Sequence, residues 1–364
     1  MKKIHIVVGA RPNYIKANPV YRALETLKQF DLKLVHTGQH YDHQMSTLFF
    51  DELKMKTPDI ALEVGSGLHG EQTARILQRY EQVLLEDRPQ LVMVFGDVNS
   101  TIACALAATK LHIPVAHVEA GLRSFDRTMP EEINRVLTDQ ISDLLFVTSP
   151  EAIDNLKREG VDPDSIHFVG NTMIDSLRKF EPLFNSSTIH TILNLPHKYA
   201  LMTFHRPSNV DDEKNLKALV QTIKIVSTTI PCVFPLHPRT RNKLEQYHMM
   251  KLLNDQQIHL TEPLGYIDFM ALQKRASVVL TDSGGVQEES TAFGVPCLTV
   301  RDNTERPITC TQGTNKLIGT DYTRIPSEVQ LALDNTRAES KKPDLWDGKA
   351  AERLADVIKQ ASGI

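Results

Sequence analysis

The chain has 364 residues, 41% of them hydrophobic and 24% charged, which suits a globular protein long for one domain and comfortable for two. A formal net charge of −4 gives no global positive field for nucleic acid, so any anion must be held locally. The four cysteines, Cys104, Cys232, Cys297 and Cys310, form no C-x-x-C pair, which argues against a zinc site and against a disulfide framework.

The opening "MKKIHIVVGARP" breaks at Gly9 to Pro12, too early for a secretory leader. No apolar run approaches the roughly 20 residues of a membrane span. A cytoplasmic chain without membrane or nucleic-acid partners is the expectation. Strand candidates follow in order: "KIHIVVG", "LKLVHTG", "LVMVFGD", "PVAHVEA", "DLLFVTS", "IHFVGN", "YALMTFH", "CVFPLH", "QIHLTE", "SVVLTD" and "PCLTV". Amphipathic stretches such as "IKANPVYRALETLKQF" and "DDEKNLKALVQTIKIVSTT" separate them. Near-continuous apolar strands alternating with helices indicate parallel sheets covered on both faces. The number of units exceeds one sheet, so an α/β protein of two doubly wound, Rossmann-like domains is predicted. The strand rhythm lapses over residues 171–198. The predicted domains are therefore residues 1–170 and 171–345, with residues 346–364 as a closing helix that packs back on the first domain.

In doubly wound sheets ligands sit beyond the carboxyl ends of strands. Those ends are polar in both halves, which predicts an active site in the cleft between the domains. "GARPNYIK" puts Pro12 at a helix start and Arg11 and Lys16 near each other. Cations at a helix N-terminus are unfavourable without an anion, so both are read as anion ligands. "TGQHYDHQM" supplies Gln39, His40 and Gln44 as polar cleft residues. Its two histidines lack a nearby third ligand, so no metal is expected.

"FGDVNST" ends a strand at Asp97, and Ser100 and Thr101 can cap the next helix in its place. "HVEAGLRSFDRTMPEEINR" contributes Glu119 and then Glu131 and Glu132. One of the latter pair is expected to serve the helix start and the other to face the cleft, with Arg123 as counter-ion. Carboxylates crowded in one cleft shift each other's protonation and set a donor beside an acceptor. "FHRPSNVDD" and "LHPRTR" place His205 with Arg206, and His237 with Arg239, after apolar strands, a pattern suited to a diphosphate clamp. In "TDSGGVQEES" the residues Ser283, Gly284 and Gly285 bring bare N–H groups and a helix start to a phosphate. Glu289, further along that helix, fits ribose hydroxyls, and Glu288 points about 100° away. "RDNTERP" adds Arg301 and a second arginine.

The set "GARPNYIK", "TGQHYDHQM", "GDVNST", "HVEAGLRS", "MPEEINR", "HRPSNVD", "TDSGGVQEE" and "NTERP" resembles, in order and over nearly the whole chain, the non-hydrolysing UDP-N-acetylglucosamine 2-epimerases. The resemblance implies the glycosyltransferase-B architecture with no cofactor. It also implies C2 epimerisation of UDP-N-acetylglucosamine to UDP-N-acetylmannosamine, by elimination of UDP and its re-addition to a glycal. It implies that Asp97, Glu119, Glu131 and His205 are catalytic. Substrate would be bound by Arg11, Lys16, His237, Phe269 against uracil, the Ser283–Gly284–Gly285 cradle, Glu289 and Arg301. It further implies a homodimer and a second substrate site near Gln39, His40, Gln44 and Arg206. Departures are Asn13 where the family often has Glu, and Val98-Asn99 where it often has two threonines. "HRPSNVD" and "HPRTR" resemble a branch that neighbours epimerases of UDP-2,3-diacetamido-hexuronic acids, which leaves such a sugar open. A glycosyltransferase of the same architecture, a hydrolysing epimerase and a non-enzymatic nucleotide-sugar sensor are the rival readings.

Overall fold

A computed structural model describes residues 1–39, 56–335 and 342–361. Met1–Lys179 and Asp344–Ile364 form one compact unit, and Phe180–Pro343 forms the other.

The first unit is built on seven parallel strands. They are β1 (Lys2–Val8), β2 (Phe30–His36), β3 (Ile60–Ala61), β4 (Leu91–Phe95), β5 (Val115–Ala120), β6 (Leu144–Val147) and β7 (Ile166–Phe168). Their order is β3-β2-β1-β4-β5-β6-β7, with Ile6 opposite Leu34 on one side and Met93 on the other. Strands β4 and β5 are buried along their whole length, β4 as an unbroken apolar run and β5 with His117 and Glu119 among its apolar residues. The helices that matter to the site are α1 (Arg11–Leu27), α2 (His69–Glu86), α3 (Asn99–Lys110), α4 (Pro130–Gln140) and α5 (Thr172–Ser186). Val7, Val35, Val92 and Val94 pack against Ile76, Tyr80 and Leu84 of α2 and Ala103 and Ala107 of α3.

The second unit has six parallel strands. They are β8 (Ala200–Thr203), β9 (Cys232–Pro235), β10 (Ile258–Thr261), β11 (Val278–Thr281), β12 (Cys297–Thr299) and β13 (Asn315–Leu317), ordered β10-β9-β8-β11-β12-β13. Helices α6 (Glu213–Ser227), α7 (Pro238–Gln246), α8 (Tyr266–Arg275) and α9 (Gly284–Phe293) are the relevant ones here. Leu216, Leu219 and Ile223 of α6 seal one sheet face over Met202, Phe234 and Leu280. Both sheets have the doubly wound strand order, and two Rossmann-like α/β domains are what the chain forms.

The last helix, α10 (Ala350–Gln360), belongs to the first unit. Asp175 of α5 caps it, accepting the Ala350 and Ala351 N–H groups at 3.1 and 2.7 Å. Gly170 explains how the chain returns there: a Cβ at that position would lie 2.2 Å from the Leu345 carbonyl oxygen.

Candidate active-site residues

In each sheet the winding reverses once, between β1 and β4 and between β8 and β11. The carboxyl ends flanking such a reversal form the natural ligand crevice.

In the first unit these ends are Gly9-Ala10 and Gly96-Asp97. A Cβ on Gly9 would fall 2.1 Å from the Ser100 Oγ, so only glycine lets this turn pass α3. Asn13 accepts the Ala10 N–H at 3.0 Å and donates to the Phe95 carbonyl at 2.7 Å. It thereby ties the two strand ends together. Thr101 Oγ1 donates to the same carbonyl at 2.9 Å, and Asn134 Nδ2 donates to the Asp97 carbonyl at 2.9 Å. The Asp97 carboxylate receives Arg135 Nη2 at 2.5 Å, and Arg135 Nη1 reaches Glu132 at 2.7 Å.

Glu119, the last residue but one of β5, is in the left-handed region, φ 75°, at a register shift against β6. For a non-glycine residue this conformation is strained and turns the side chain out of the strand's alternation. Its carboxylate forms a buried ion pair with Lys16. Lys16, expected to face an anion beside Arg11, is thus joined to a carboxylate. Arg11 opens α1, but its side chain lies outside the described structure, as do His40 and Gln44.

The adjacent glutamates differ in environment, and neither carboxylate caps the first turn of α4. Glu132 is buried and accepts the Ser124 and Phe125 N–H groups at 2.9 and 2.8 Å. Glu131 is half-buried on the first turn of α4 and has no hydrogen bond or ion pair among the described residues.

Two expectations are corrected here. Arg123 is not the counter-ion of these carboxylates. It pairs with Asp139 at 2.7 Å and Glu159 at 2.6 Å. Burial opposes its charge, yet those two carboxylates outweigh it and hold the guanidinium above its usual range. Nor do Ser100 and Thr101 cap α3, whose N-cap is Val98 with no side-chain cap bond. Gln39 does that work: its Oε1 accepts the Ser100 N–H at 3.1 Å and the Ser100 hydroxyl at 2.7 Å. The buried Gln39 side-chain oxygen, expected at a second ligand site, is therefore committed to α3. Among the described residues no group of three or more His, Cys, Asp or Glu could hold a metal ion.

In the second unit the flanking ends are Phe204-His205 and Asp282-Ser283. Asp282 is fully buried. It accepts the His205 and Arg206 N–H groups at 3.0 and 2.9 Å, the Asn209 amide at 3.0 Å and His205 Nδ1 at 3.1 Å. Burial pushes against its charge, but the bonds from His205, Asn209 and Arg206 win and hold the carboxyl below its usual range. The His205 and His237 rings lie 5.1 Å apart. His237 caps α7 by accepting the Arg239 N–H at 3.2 Å. The Arg239 side chain does not join a clamp; it forms a two-pronged pair with Asp211 at 2.8 and 2.6 Å. Arg206 donates to the Asp282 carbonyl at 3.1 Å.

Helix α9 starts at Gly284, with Ser283 as an N-cap whose side chain makes no cap bond. A Cβ on Gly284 would sit 2.5 Å from Glu305 Oε1 and 2.6 Å from Arg306 Nη1. The glycine thus brings bare backbone against a buried Glu305–Arg306 pair. Arg306 also pairs with Glu288 at 2.9 Å, while Glu289 lies near the half-buried Tyr266. Tyr266 is pushed well above its usual range by burial first and Glu289 second. Arg301 is buried, bonded through Nη2 to Glu305 at 2.9 Å, with its Nη1 unpartnered among the described residues. Phe269 is half-buried on α8.

Residues that sequence reasoning did not anticipate are Arg135, Asn134, Glu305 and the pairing of Lys16 with Glu119. Arg135 was in view, inside "MPEEINR", but its partner Asp97 is 38 residues away along the chain.

The family model described as UDP-N-acetylglucosamine 2-epimerase matches residues 22–359. The UDP-N-acetylglucosamine 2-epimerase of Methanocaldococcus jannaschii is 43% identical over 365 residues, covering 98% of each chain. The UDP-2,3-diacetamido-2,3-dideoxy-D-glucuronate 2-epimerase of Pseudomonas aeruginosa is 41% identical over 361 residues, covering 98% of this chain and 99% of that one. Among solved structures, the M. jannaschii UDP-GlcNAc 2-epimerase in complex with UDP-GlcNAc and UDP superposes with a TM-score of 0.92 at 43% identity, covering 99% of this chain and all of that one. Matching end to end in sequence and fold, the chain belongs to the UDP-N-acetylglucosamine 2-epimerase family.

Proposed function

We infer that the protein interconverts UDP-N-acetylglucosamine and UDP-N-acetylmannosamine without net release of UDP. The observation that carries this reading is the pair of carboxylates, Asp97 and Glu119, at adjacent strand ends of the first sheet, each held by a buried cation. A glycosyltransferase has little use for such a set, and a nucleotide-sugar sensor has none.

The C2 hydrogen of the sugar has no neighbouring carbonyl, so direct abstraction is very difficult. Breaking the C1–O bond sends its electron pair to UDP and leaves an oxocarbenium ring whose C2 proton is acidic. A carboxylate takes that proton, giving a glycal and UDP. The reverse steps, with a proton delivered to the other face of C2, yield the epimer. Asp97, Glu119 and Glu131 are assigned to these proton transfers. His205, backed by Asp282, is assigned to the leaving diphosphate, with Arg11, His237 and Arg301 assisting and Lys16 acting through Glu119. Ser283, Gly284 and Gly285 form the diphosphate cradle, Glu289 binds ribose and Phe269 stacks on uracil. By the same reading the enzyme is a cytoplasmic homodimer, which sedimentation of the purified protein would test.

Proton NMR with UDP-N-acetylglucosamine in D₂O tests the reaction. Deuterium entering C2 while a UDP-N-acetylmannosamine signal grows to equilibrium supports it. Accumulation of UDP and free N-acetylmannosamine would assign a hydrolysing enzyme instead. Inertness here with turnover of the diacetamido-uronate nucleotide would move the assignment to that sugar.

A further inference from the structure

We propose that His117 is a doubly protonated positioning residue that locks the strand end carrying Asp97 to the strand carrying Glu119. The proposal rests on the reading of Asp97 and Glu119 as proton-transfer groups. His117 lies on β5, two residues before Glu119, with no solvent exposure. Its Nε2 is 2.7 Å from the Gly96 carbonyl oxygen, and its Nδ1 is 2.6 Å from Asp139 Oδ1. A carbonyl only accepts. Asp139 Oδ2 already takes the Gly121 N–H at 3.1 Å and Arg123 Nη2 at 2.7 Å, as an ionised carboxylate does. Both ring nitrogens therefore face acceptors, and both must carry a proton.

The charges around the ring close. Arg123 pairs onward with Glu159 at 2.6 Å, so two cations, His117 and Arg123, meet two anions, Asp139 and Glu159. A cluster with His117, Arg123 and Asp139 buried and Glu159 at its exposed end is tolerable only when its charges and hydrogen bonds are matched, as these are.

The group held by the cluster is the backbone from which Asp97 projects. Gly96 is in the left-handed region, φ 65°, and its N–H reaches the Val118 carbonyl at 3.0 Å. Three successive carbonyls at this corner each accept side-chain donors. Phe95 takes Asn13 and Thr101, Gly96 takes His117, and Asp97 takes Asn134. The His117 bond crosses from β5 to the end of β4. Moving either strand end strains it, so the spacing of the two carboxylates is fixed before substrate arrives.

An ordinary core histidine would satisfy its hydrogen bonds in one neutral tautomer and leave catalysis alone. Two measurements separate the cases. Histidine-selective ¹⁵N NMR of the wild-type protein should show two N–H signals for His117. A single N–H, the neutral pattern, overturns the proposal. His117→Gln cannot span both acceptors. It should lower kcat by about 10²-fold, with KM and the UDP dissociation constant within about twofold. An unchanged kcat, or a matching loss of UDP affinity, also overturns it.

If His117→Gln does not fold, Asp139→Asn serves both to assign the signal and to test the role. It removes the negative charge that faces Nδ1 and leaves a neutral amide there, and should cost about tenfold in kcat with UDP binding unchanged; an unchanged kcat overturns the proposal. The NMR pattern is independent of substrate. A wild-type protein inert on every UDP-sugar would sink the functional reading while leaving the protonation result to stand.

Discussion

Replacing Asp97 by asparagine keeps the size of the side chain and removes its charge. In the folded protein Asp97 Oδ2 meets Arg135 Nη2 at 2.5 Å, and its side chain is 23% exposed. Asparagine still offers an oxygen to Arg135, and Arg135 keeps Glu132 at 2.7 Å, so no buried cation is abandoned. The ground-state loss is the difference between a charged and a neutral hydrogen bond, about 1 kcal/mol. In a unit of this size that lowers Tm by about 2–4 °C. Chemistry suffers far more, because an amide neither takes nor returns the C2 proton. A proton-transfer group is worth at least about 10² in rate, or about 2.7 kcal/mol of barrier. The UDP half-site proposed for the other unit should not respond. The assay is NMR-monitored epimerisation, alongside calorimetric titration with UDP and a thermal melt. Turnover within tenfold of wild type, or UDP affinity falling in step with turnover, would refute the assignment.

Glu289→Ala should weaken UDP binding about tenfold or more by removing a charged acceptor for ribose hydroxyls, and unchanged affinity in a UDP titration would remove that role. Gly284→Ala puts a methyl 2.5 Å from Glu305 Oε1 and 2.6 Å from Arg306 Nη1. The buried pair must shift, so the same titration should show a weakened diphosphate site, and wild-type affinity would count against the cradle. Asp175 gives a pH signature. Burial is the larger effect and raises its pKa to about 6, against the lowering pull of the Ala351 and Ala350 N–H groups. A raised value means the native state holds the proton that the unfolded chain releases near 3.8. The contribution is therefore full below about pH 4 and lost as pH rises through about 6. The stability of wild type relative to Asp175→Asn should fall across that window, by an amount on the order of 2–3 kcal/mol. A flat difference in urea melts would contradict it.

Strands such as "LVMVF" are legible because a strand buried on both faces is a near-continuous apolar run. Strands β3 and β13, "IA" and "NKL", escaped because two or three residues at a sheet edge carry no pattern. The polar strand ends were legible as a group, since they interrupt apolar runs at a fixed place in the fold. Their pairings were not. Arg123 lies four residues past Glu119, yet it turns to Asp139 and Glu159. Lys16 finds Glu119, and Arg135 finds Asp97, across strands whose neighbours are set by sheet order. Likewise Gln39 caps a helix that starts 60 residues later, which local capping rules cannot foresee.

The return of the chain to its first unit has a consequence for synthesis. Trp346 Nε1 donates to the Thr148 carbonyl at 3.0 Å, Arg353 reaches the Val169 carbonyl at 3.0 Å, and α10 sits on α1 with its first turn held by Asp175. Everything needed by Phe180–Pro343 is synthesised before these partners. The later-encoded unit can therefore complete its core first, and the earlier one must wait for the final stretch. A chain halted near Pro343 would carry a finished nucleotide-type sheet beside an unfinished one. Its Thr148 and Val169 carbonyls and its Asp175 carboxylate would lack the groups that answer them. Removing the short terminal helix should thus disable the unit that carries Asp97 and Glu119, hundreds of residues upstream, rather than trim a dispensable tail.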